Sequence, residues 1–154
     1  MKPPVIGVIS DTHGLLRPEA MEALRGVEHI VHAGDVGDPA ILDSLRALAP
    51  VTAVGGNIDV HRPCSNLPAI EVVTLHGRTF YVLHDRQALD LDPAAAGFAA
   101  VISGHSHRPL IEWRQGVLYL NPGSAGPRRF TLPISLALVT LGADGLQPRL
   151  LTLL

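Results

Sequence analysis

The sequence predicts an α/β protein made of two β-sheets packed face to face, with helices on the outside. Two observations carry this. The first ~60 residues alternate short apolar runs with amphipathic segments, the β-α-β-α-β pattern of a mostly parallel sheet with covering helices. The remainder pairs apolar runs across turn residues, three times over, as β-hairpins do. The length sets the scale: 154 residues make a single domain with a real core.

Val5–Ile9 is short, apolar and β-branched, which predicts a buried strand. Pro18 opens a short helix, Pro18–Arg25, stopped by Gly26. His29–His32 is a second buried strand. Asp38-Pro39 follows as N-cap and first helical residue, and the helix places Ile41, Leu42, Leu45 and Leu48 on one face. Val51–Val54 is the third strand. In the second half, Ile70–Leu75 and Thr79–Leu83 flank His76-Gly77-Arg78 as a hairpin. Asp92-Pro93 caps a short Ala-rich helix, and Ala100–Ser103 is another buried strand. Leu110–Arg114 and Val117–Leu120 flank Gln115-Gly116, and Ser135–Leu141 and Leu146–Leu153 flank Gly142–Gly145, giving the second and third hairpins.

The bulk numbers exclude several classes. Hydrophobic residues make up 47% of the chain and mean hydropathy is +0.27, which suits a folded rather than a disordered protein. No apolar stretch approaches the ~18 residues of a membrane span, so no membrane partner is expected. Lys2 precedes an apolar run, but Asp11 and His13 interrupt it too early for a signal peptide. Cys64 is the sole cysteine, which rules out an internal disulfide and fits a reducing, cytoplasmic setting. The net charge of −2 and the lack of any basic run argue against long nucleic acid as a partner. The apolar C-terminal hairpin leaves room for a homo-oligomer.

Five short clusters carry the chemistry: SDTHG, AGDVGD, GGNID, VLHD and SGHSH. Nearly every one ends a strand-like run. They supply Asp11, His13, Asp35, Asn57, His84, His105 and His107. Asp11 and His13 are two apart, so in extended geometry they point the same way. Asp35 and Asn57 hold the matching positions after the second and third strands. Ligands in open α/β sheets gather at the carboxyl ends of strands, so these clusters should converge. Two imidazoles in Gly104-His105-Ser106-His107 are hard to explain as packing, whereas Asp38 reads equally well as a helix cap. His29, His32, His61 and His76 read as ordinary residues, with His32 packed inside its strand.

This donor set suits two divalent transition metals. Imidazole and carboxylate without thiolate disfavour iron–sulfur and structural zinc sites, and several histidines disfavour Ca²⁺ and Mg²⁺. Mn²⁺ is the first expectation, with Fe, Zn²⁺, Co²⁺ and Ni²⁺ also compatible. Two carboxylates, Asp11 and Asp35, against two divalent ions leave a surplus of about two positive charges, which suits a bound phosphate and a bridging hydroxide.

The series D-x-H, G-D-x-x-D, G-N-x-D, a lone His and G-H-x-H resembles the calcineurin-like metallophosphoesterases. The short length and Asn121-Pro122-Gly123-Ser124 resemble their small bacterial and archaeal phosphodiesterase branch. The resemblance implies the four-layer α/β/β/α metallo-dependent phosphatase fold. It implies that Asp11, His13 and His107 hold one metal, that Asn57, His84 and His105 hold the other, and that Asp35 bridges them. Catalysis would rest on Asp35, Asn57 and His105, with Asp38 and Asp59 orienting ligands and waters from behind. Arg128, with Arg129 beside it, resembles a Pro-Arg element that holds phosphate. The implied activity is hydrolysis of a small phosphoester, a diester before a monoester, by attack of a metal-bound hydroxide on phosphorus.

Two departures stand out. Relatives often carry His or Cys between Asn and Asp of G-N-x-D, and the His form can assist the leaving group; here the residue is Ile58, which predicts a bias toward good leaving groups. Relatives often read H-G-H at the lone histidine, whereas this chain reads His84-Asp85-Arg86. Asp85 and Arg86 either pair with each other or leave Arg86 to reach the substrate. Both departures keep open a rival reading, a non-catalytic metal-binding scaffold of the same fold acting through protein contacts.

Overall fold

Short β-branched runs buried on both faces are the material of parallel strands, and the chain uses them in two sets of three. In the computed structural model, which describes residues 2–60, 64 and 66–154, β1 (Val5–Ile9), β2 (His29–His32) and β3 (Val51–Ala53) run parallel. In the second sheet, β5 (Arg78–Leu83), β6 (Ala100–Ile102) and β8 (Val117–Asn121) are also parallel. Antiparallel strands finish both sheets: β4 (Ile70–Leu75) pairs with β5, and β7 (Leu110–Arg114) with β8. The third hairpin, β9 (Ser135–Gly142) and β10 (Gly145–Thr152), departs from the simple two-half division. It returns to the first sheet, where β9 pairs antiparallel with β1. The sheet orders are β10-β9-β1-β2-β3 and β4-β5-β6-β8-β7. Pro148 sits on β10, an edge strand, where a missing N–H costs no ladder bond.

The two sheets face each other across a dry core. Ile6, Val8 and Val31 of the first meet Phe80, Val82, Ile102 and Leu118 of the second, all at most 1% exposed. Each such side chain contributes about 1.5–3 kcal/mol on burial. The outer face of the first sheet is covered by α1 (Pro18–Ala23), with Leu24 just after it, and by α2 (Pro39–Arg46), through Ala20, Leu24, Ile41, Leu42 and Leu45. The outer face of the second is covered thinly, by Leu89, Ala94 and Phe98 against Tyr81, Leu83 and Val101. This is the expected pair of mixed sheets with flanking helices, though with little helix on one side.

Local differences from the sequence reading have simple causes. α1 ends at Ala23, and the chain turns through Gly26 at φ +85°. The expected Ala-rich helix is a single turn: Asp92 Oδ1 accepts from Ala94 and Ala95 N–H, but Gly97 at φ +84° ends it at once. Arg78 belongs to β5, opposite Leu75, so the first hairpin turns on His76-Gly77 alone. Both residues have positive φ, as do Gln115-Gly116 in the second hairpin, which is the twist a two-residue turn requires. Among the described residues, no helix is long and apolar enough to cross a membrane. His61 lies outside the described residues.

Candidate metal centre

Six parallel strands in two packed sheets present their carboxyl ends on one side, and the polar clusters follow those ends. Asp11 and His13 follow β1, Asp35 follows β2 and Asn57 follows β3; His84 follows β5, and His105 and His107 follow β6. Extended backbone is not what brings Asp11 and His13 together. Asp11, His13, Asp35, His105 and His107 all lie at positive φ, between +47° and +72°. Non-glycine residues adopt this region at a cost on the order of 1 kcal/mol each. Five such residues among seven curl three loops inward onto one point. The strain is held by backbone bonds between the loops: Asp11 N–H to Gly34 O at 2.9 Å, His13 N–H to Asp35 O at 2.8 Å, and Gly104 N–H to His84 O at 2.9 Å.

The side chains meet at short range. Asp35 Oδ2 lies 3.3 Å from His13 Nε2 and 3.2 Å from His84 Nε2. Asp11 Oδ1 lies 3.4 Å from His107 Nε2, 3.7 Å from His13 Nε2 and 3.9 Å from His84 Nε2. The His13–His107 and His84–His105 ring centroids are each 5.2 Å apart. Asn57 Oδ1 sits 3.1 Å from His105 Nδ1, on the more exposed side of the cluster. Two overlapping donor groups result: Asp11, His13 and His107, and Asp11, Asp35 and His84. They share Asp11, whereas the sequence reading put the shared carboxylate at Asp35. Both carboxylates in fact span the two halves, and Asp35 does so at the shorter distances.

Five buried atoms here have no hydrogen-bond partner: Asp11 Oδ1, His13 Nε2, His84 Nε2 and both ring nitrogens of His107. Buried polar atoms are almost always satisfied, so a convergent set of unpartnered donors is what a cation site requires. Separations of 3.2–3.9 Å suit donors gathered around a common ion. The residues therefore fit divalent metals. The remaining donor valences are spent on orientation. Asp11 Oδ2 accepts from Ser10 Oγ at 2.7 Å and His105 N–H at 3.1 Å, and Asp35 Oδ1 accepts from Ile58 N–H at 3.0 Å. His84 Nδ1 donates to Ala33 O at 2.8 Å, which turns its Nε2 toward Asp35.

The supporting residues divide clearly. Asp59 is buried and accepts N–H bonds from Val36, Gly37 and Gly56 at 2.9–3.0 Å, tying the loop of Asp35 to that of Asn57. Asp38 is exposed and spent on capping α2, with Oδ1 2.9 Å from Ala40 N. Arg128 is exposed, its guanidinium donating to Leu132 O at 3.2 Å. Arg86 pairs with Glu112 at 2.8 Å instead of Asp85, and lies 4.4 Å over the Tyr119 ring. Asp85 caps its own turn, accepting from Gln87 N–H at 3.0 Å. Ile58 is 44% exposed.

Three supports have roles the sequence did not reveal, although the resemblance places Asn121–Ser124 near the rim of the site. Asn121 donates to Gly104 O at 2.9 Å and Ser106 Oγ at 3.1 Å, bracing the loop of His105 and His107. Ser124 Oγ donates to Asp11 O at 2.9 Å. His32 does more than pack. Its Nδ1 accepts from Gly34 N–H at 3.1 Å, so the neutral ring carries its proton on Nε2 and donates to Thr12 Oγ1 at 3.0 Å; Thr12 in turn donates to Val36 O at 2.9 Å. This chain clamps the loops of Asp11 and Asp35 from beneath. Burial, only partly offset by the carboxylates of Asp11 and Asp59, pushes the His32 pKa down to about 4. The sequence signal was a histidine inside an apolar strand, two residues before Gly34-Asp35. His32→Leu should strand the buried Gly34 N–H and cost about 2 kcal/mol, measured by denaturant unfolding of the metal-free protein.

Fold and donors together define a two-sheet α/β metalloprotein. The comparison with known families narrows this: the model of the calcineurin-like phosphoesterase superfamily domain matches residues 5–144, and the chain belongs to that superfamily. A probable metallophosphoesterase of Methanothermobacter thermautotrophicus is 43% identical over 153 residues, covering 92% of this chain and 87% of the relative. Among solved structures, a novel archaeal phosphodiesterase superposes with TM-score 0.78 at 24% identity, over 96% of this chain and 99% of that one. Vps29 from Entamoeba histolytica, complexed with Zn²⁺, gives 0.71 at 22% identity, over 97% and 99%. At such identities these two establish the fold alone.

Proposed function

We propose that the chain is a dinuclear-metal phosphodiesterase that favours good leaving groups. The convergent, unpartnered donors of Asp11, His13, His84 and His107 carry the reading. Asp11, His13 and His107 would hold one ion, and Asn57, His84 and His105 the other. Asp35, whose Oδ2 lies 3.2–3.3 Å from His84 and His13, would serve both ions. Bound there, two divalent cations supply Lewis-acid polarisation of the phosphoryl oxygens and a water acidic enough to attack at neutral pH. The chain's own part is to hold donors rigid. Ser10, Ile58 N–H and Ala33 O fix which lone pairs face inward, and Asp59 and His32 fix the loops that carry them. Asp38, spent on its helix, would act only through α2.

Diester rather than monoester is supported by the room beside His105 for a second ester arm and by the fold shared with an archaeal phosphodiesterase. Ile58 has no proton to give, so assistance to a poor leaving group is expected to be weak. The Mn²⁺-loaded protein should therefore hydrolyse bis-aryl phosphodiesters at least about 100-fold faster than alkyl analogues. Inertness toward both, with metal bound, would favour the scaffold reading, to which the fold shared with Vps29 and the missing His at Ile58 lend weight.

Metal affinity should fall as pH drops. Burial disfavours the His84 imidazolium, but Asp35 and the Ala33 carbonyl favour it more, and its pKa is raised. A proton on His84 thus competes with metal at pH values where a free histidine, near about 6.5, is already neutral. Calorimetric titration with Mn²⁺ from about pH 8 to 6 should show weakening binding and proton release; binding independent of pH would contradict the assignment.

A further inference from the structure

The room beside His105 is a cavity of about 510 Å³, and its lining says what kind of ester arm fits there. Its volume lies within the range of small-molecule pockets and exceeds what a phosphate alone requires. Leu110, Leu120 and Leu132 line it, so much of its wall is apolar. Arg86 and Arg108 line it as well. Arg86 is not a free cation. Glu112 neutralises it at 2.8 Å, and Arg86 and Arg114 in return hold the Glu112 carboxyl below the usual carboxylate range. One face of the Arg86 guanidinium is covered by Tyr119 at 4.4 Å. The guanidinium plane, held by Glu112 and with Tyr119 against one face, forms part of the cavity wall. Such a plane is a stacking surface, on which aromatic rings and nucleobases are held by dispersion and cation–π attraction. Arg108 and Asp85 add one charge of each sign to the lining, so the wall around Arg86 carries no large net charge.

We infer that this cavity receives one ester arm of the substrate, and that the arm carries a planar aromatic ring stacked on Arg86. The inference rests on the phosphodiesterase reading and deepens it, because it names the substrate class: aryl or nucleoside phosphodiesters rather than alkyl ones. It also gives Arg86 a role other than holding phosphate.

The test is calorimetric binding to the Mn²⁺-loaded protein, with methylphosphonate, benzylphosphonate and a nucleotide analogue whose 5′ bridging oxygen is replaced by CH₂ as non-reacting probes. Benzylphosphonate or the nucleotide should bind at least about tenfold more tightly than methylphosphonate, since one stacked ring is worth about 1–3 kcal/mol. A nucleotide preferred over benzylphosphonate identifies a nucleobase; the reverse identifies a simple aryl arm. Arg86→Lys keeps the charge but loses the plane, and should erase the aromatic advantage. Leu132→Ala, at the cavity wall, should reduce it several-fold and serves if the first variant does not fold. Equal affinity of all three probes, or an advantage untouched by both substitutions, overturns the inference. Hydrolysis of p-nitrophenyl methyl phosphate by wild type separates the two levels. Turnover without aromatic preference sinks this inference alone, and no turnover with no phosphonate binding sinks the phosphodiesterase reading.

Discussion

Asp11→Asn is expected to lower kcat/KM for an aryl phosphodiester by at least about 10³, roughly 4 kcal/mol of transition-state stabilisation. Asp11 is fully buried, and its Oδ1 faces three imidazole nitrogens with no hydrogen-bond partner of its own. Burial alone would raise its pKa, yet His107, His13 and Ser10 outweigh it and hold the carboxyl well below the usual range. It is therefore an anion built to face cations. Asparagine keeps the shape, so its oxygen can still accept from Ser10 and from His105 N–H, and its amide can donate to a neutral imidazole. The metal-free variant should accordingly melt no lower than the metal-free wild type. The difference should appear with Mn²⁺: about 2.7 kcal/mol of stabilisation for wild type at a hundredfold excess over Kd, and little for the variant. Metal content, melting with and without Mn²⁺, and turnover read the three parts separately. A variant holding two ions per chain and retaining wild-type turnover would remove Asp11 from the site.

Asp59→Ala should be the most damaging change among residues that touch no metal. One buried carboxylate accepts three backbone N–H groups, from Val36, Gly37 and Gly56. Removing it leaves three donors without a partner, at about 1–3 kcal/mol each when fully buried. Because the loop can relax, a total of about 3 kcal/mol is expected. Asp59→Asn should cost about half as much, since its oxygen can keep the Val36 and Gly56 bonds while its amide opposes the Gly37 N–H. Both variants should also weaken Mn²⁺ binding, because Val36 and Gly56 flank the Asp35 carboxylate. There is little slack: a Cβ on Gly56 would overlap the Asp35 side chain and backbone nitrogen. Denaturant unfolding of the metal-free protein gives the first effect and calorimetry the second. Wild-type stability in the alanine variant would contradict the hydrogen-bond account.

How much of this was legible beforehand depends on the kind of interaction. The strands were legible because burial on both faces requires short runs free of polar residues, as at Val5–Ile9 and Ala100–Ile102. The third hairpin was legible as a hairpin but not as part of the first sheet. Its partner β1 is some 130 residues away, and alternation within a strand does not say which edge it will meet. The helix at Asp92 was read from a sound cap, but a cap does not supply length when a glycine follows five residues later.

The metal centre divides in the same way. Which residue types gather at strand ends was written in the sequence, because a metal needs particular donor atoms and a parallel sheet delivers them at one rim. Asp11, His13, Asp35, Asn57, His84, His105 and His107 were expected there on that ground, and the fold brings Asp11, His13, Asp35, His84 and His107 into two overlapping donor groups. Their arrangement was decided only in three dimensions. Left-handed backbone at five of the seven, the clamp from His32 through Thr12, the three bonds to Asp59 and the stacking of Arg86 on Tyr119 all join residues distant in the chain. Local sequence encodes propensity and chemistry, which belong to single residues. Strain that is tolerated, and charge that is neutralised by one partner instead of another, belong to pairs, and those pairs exist only after folding.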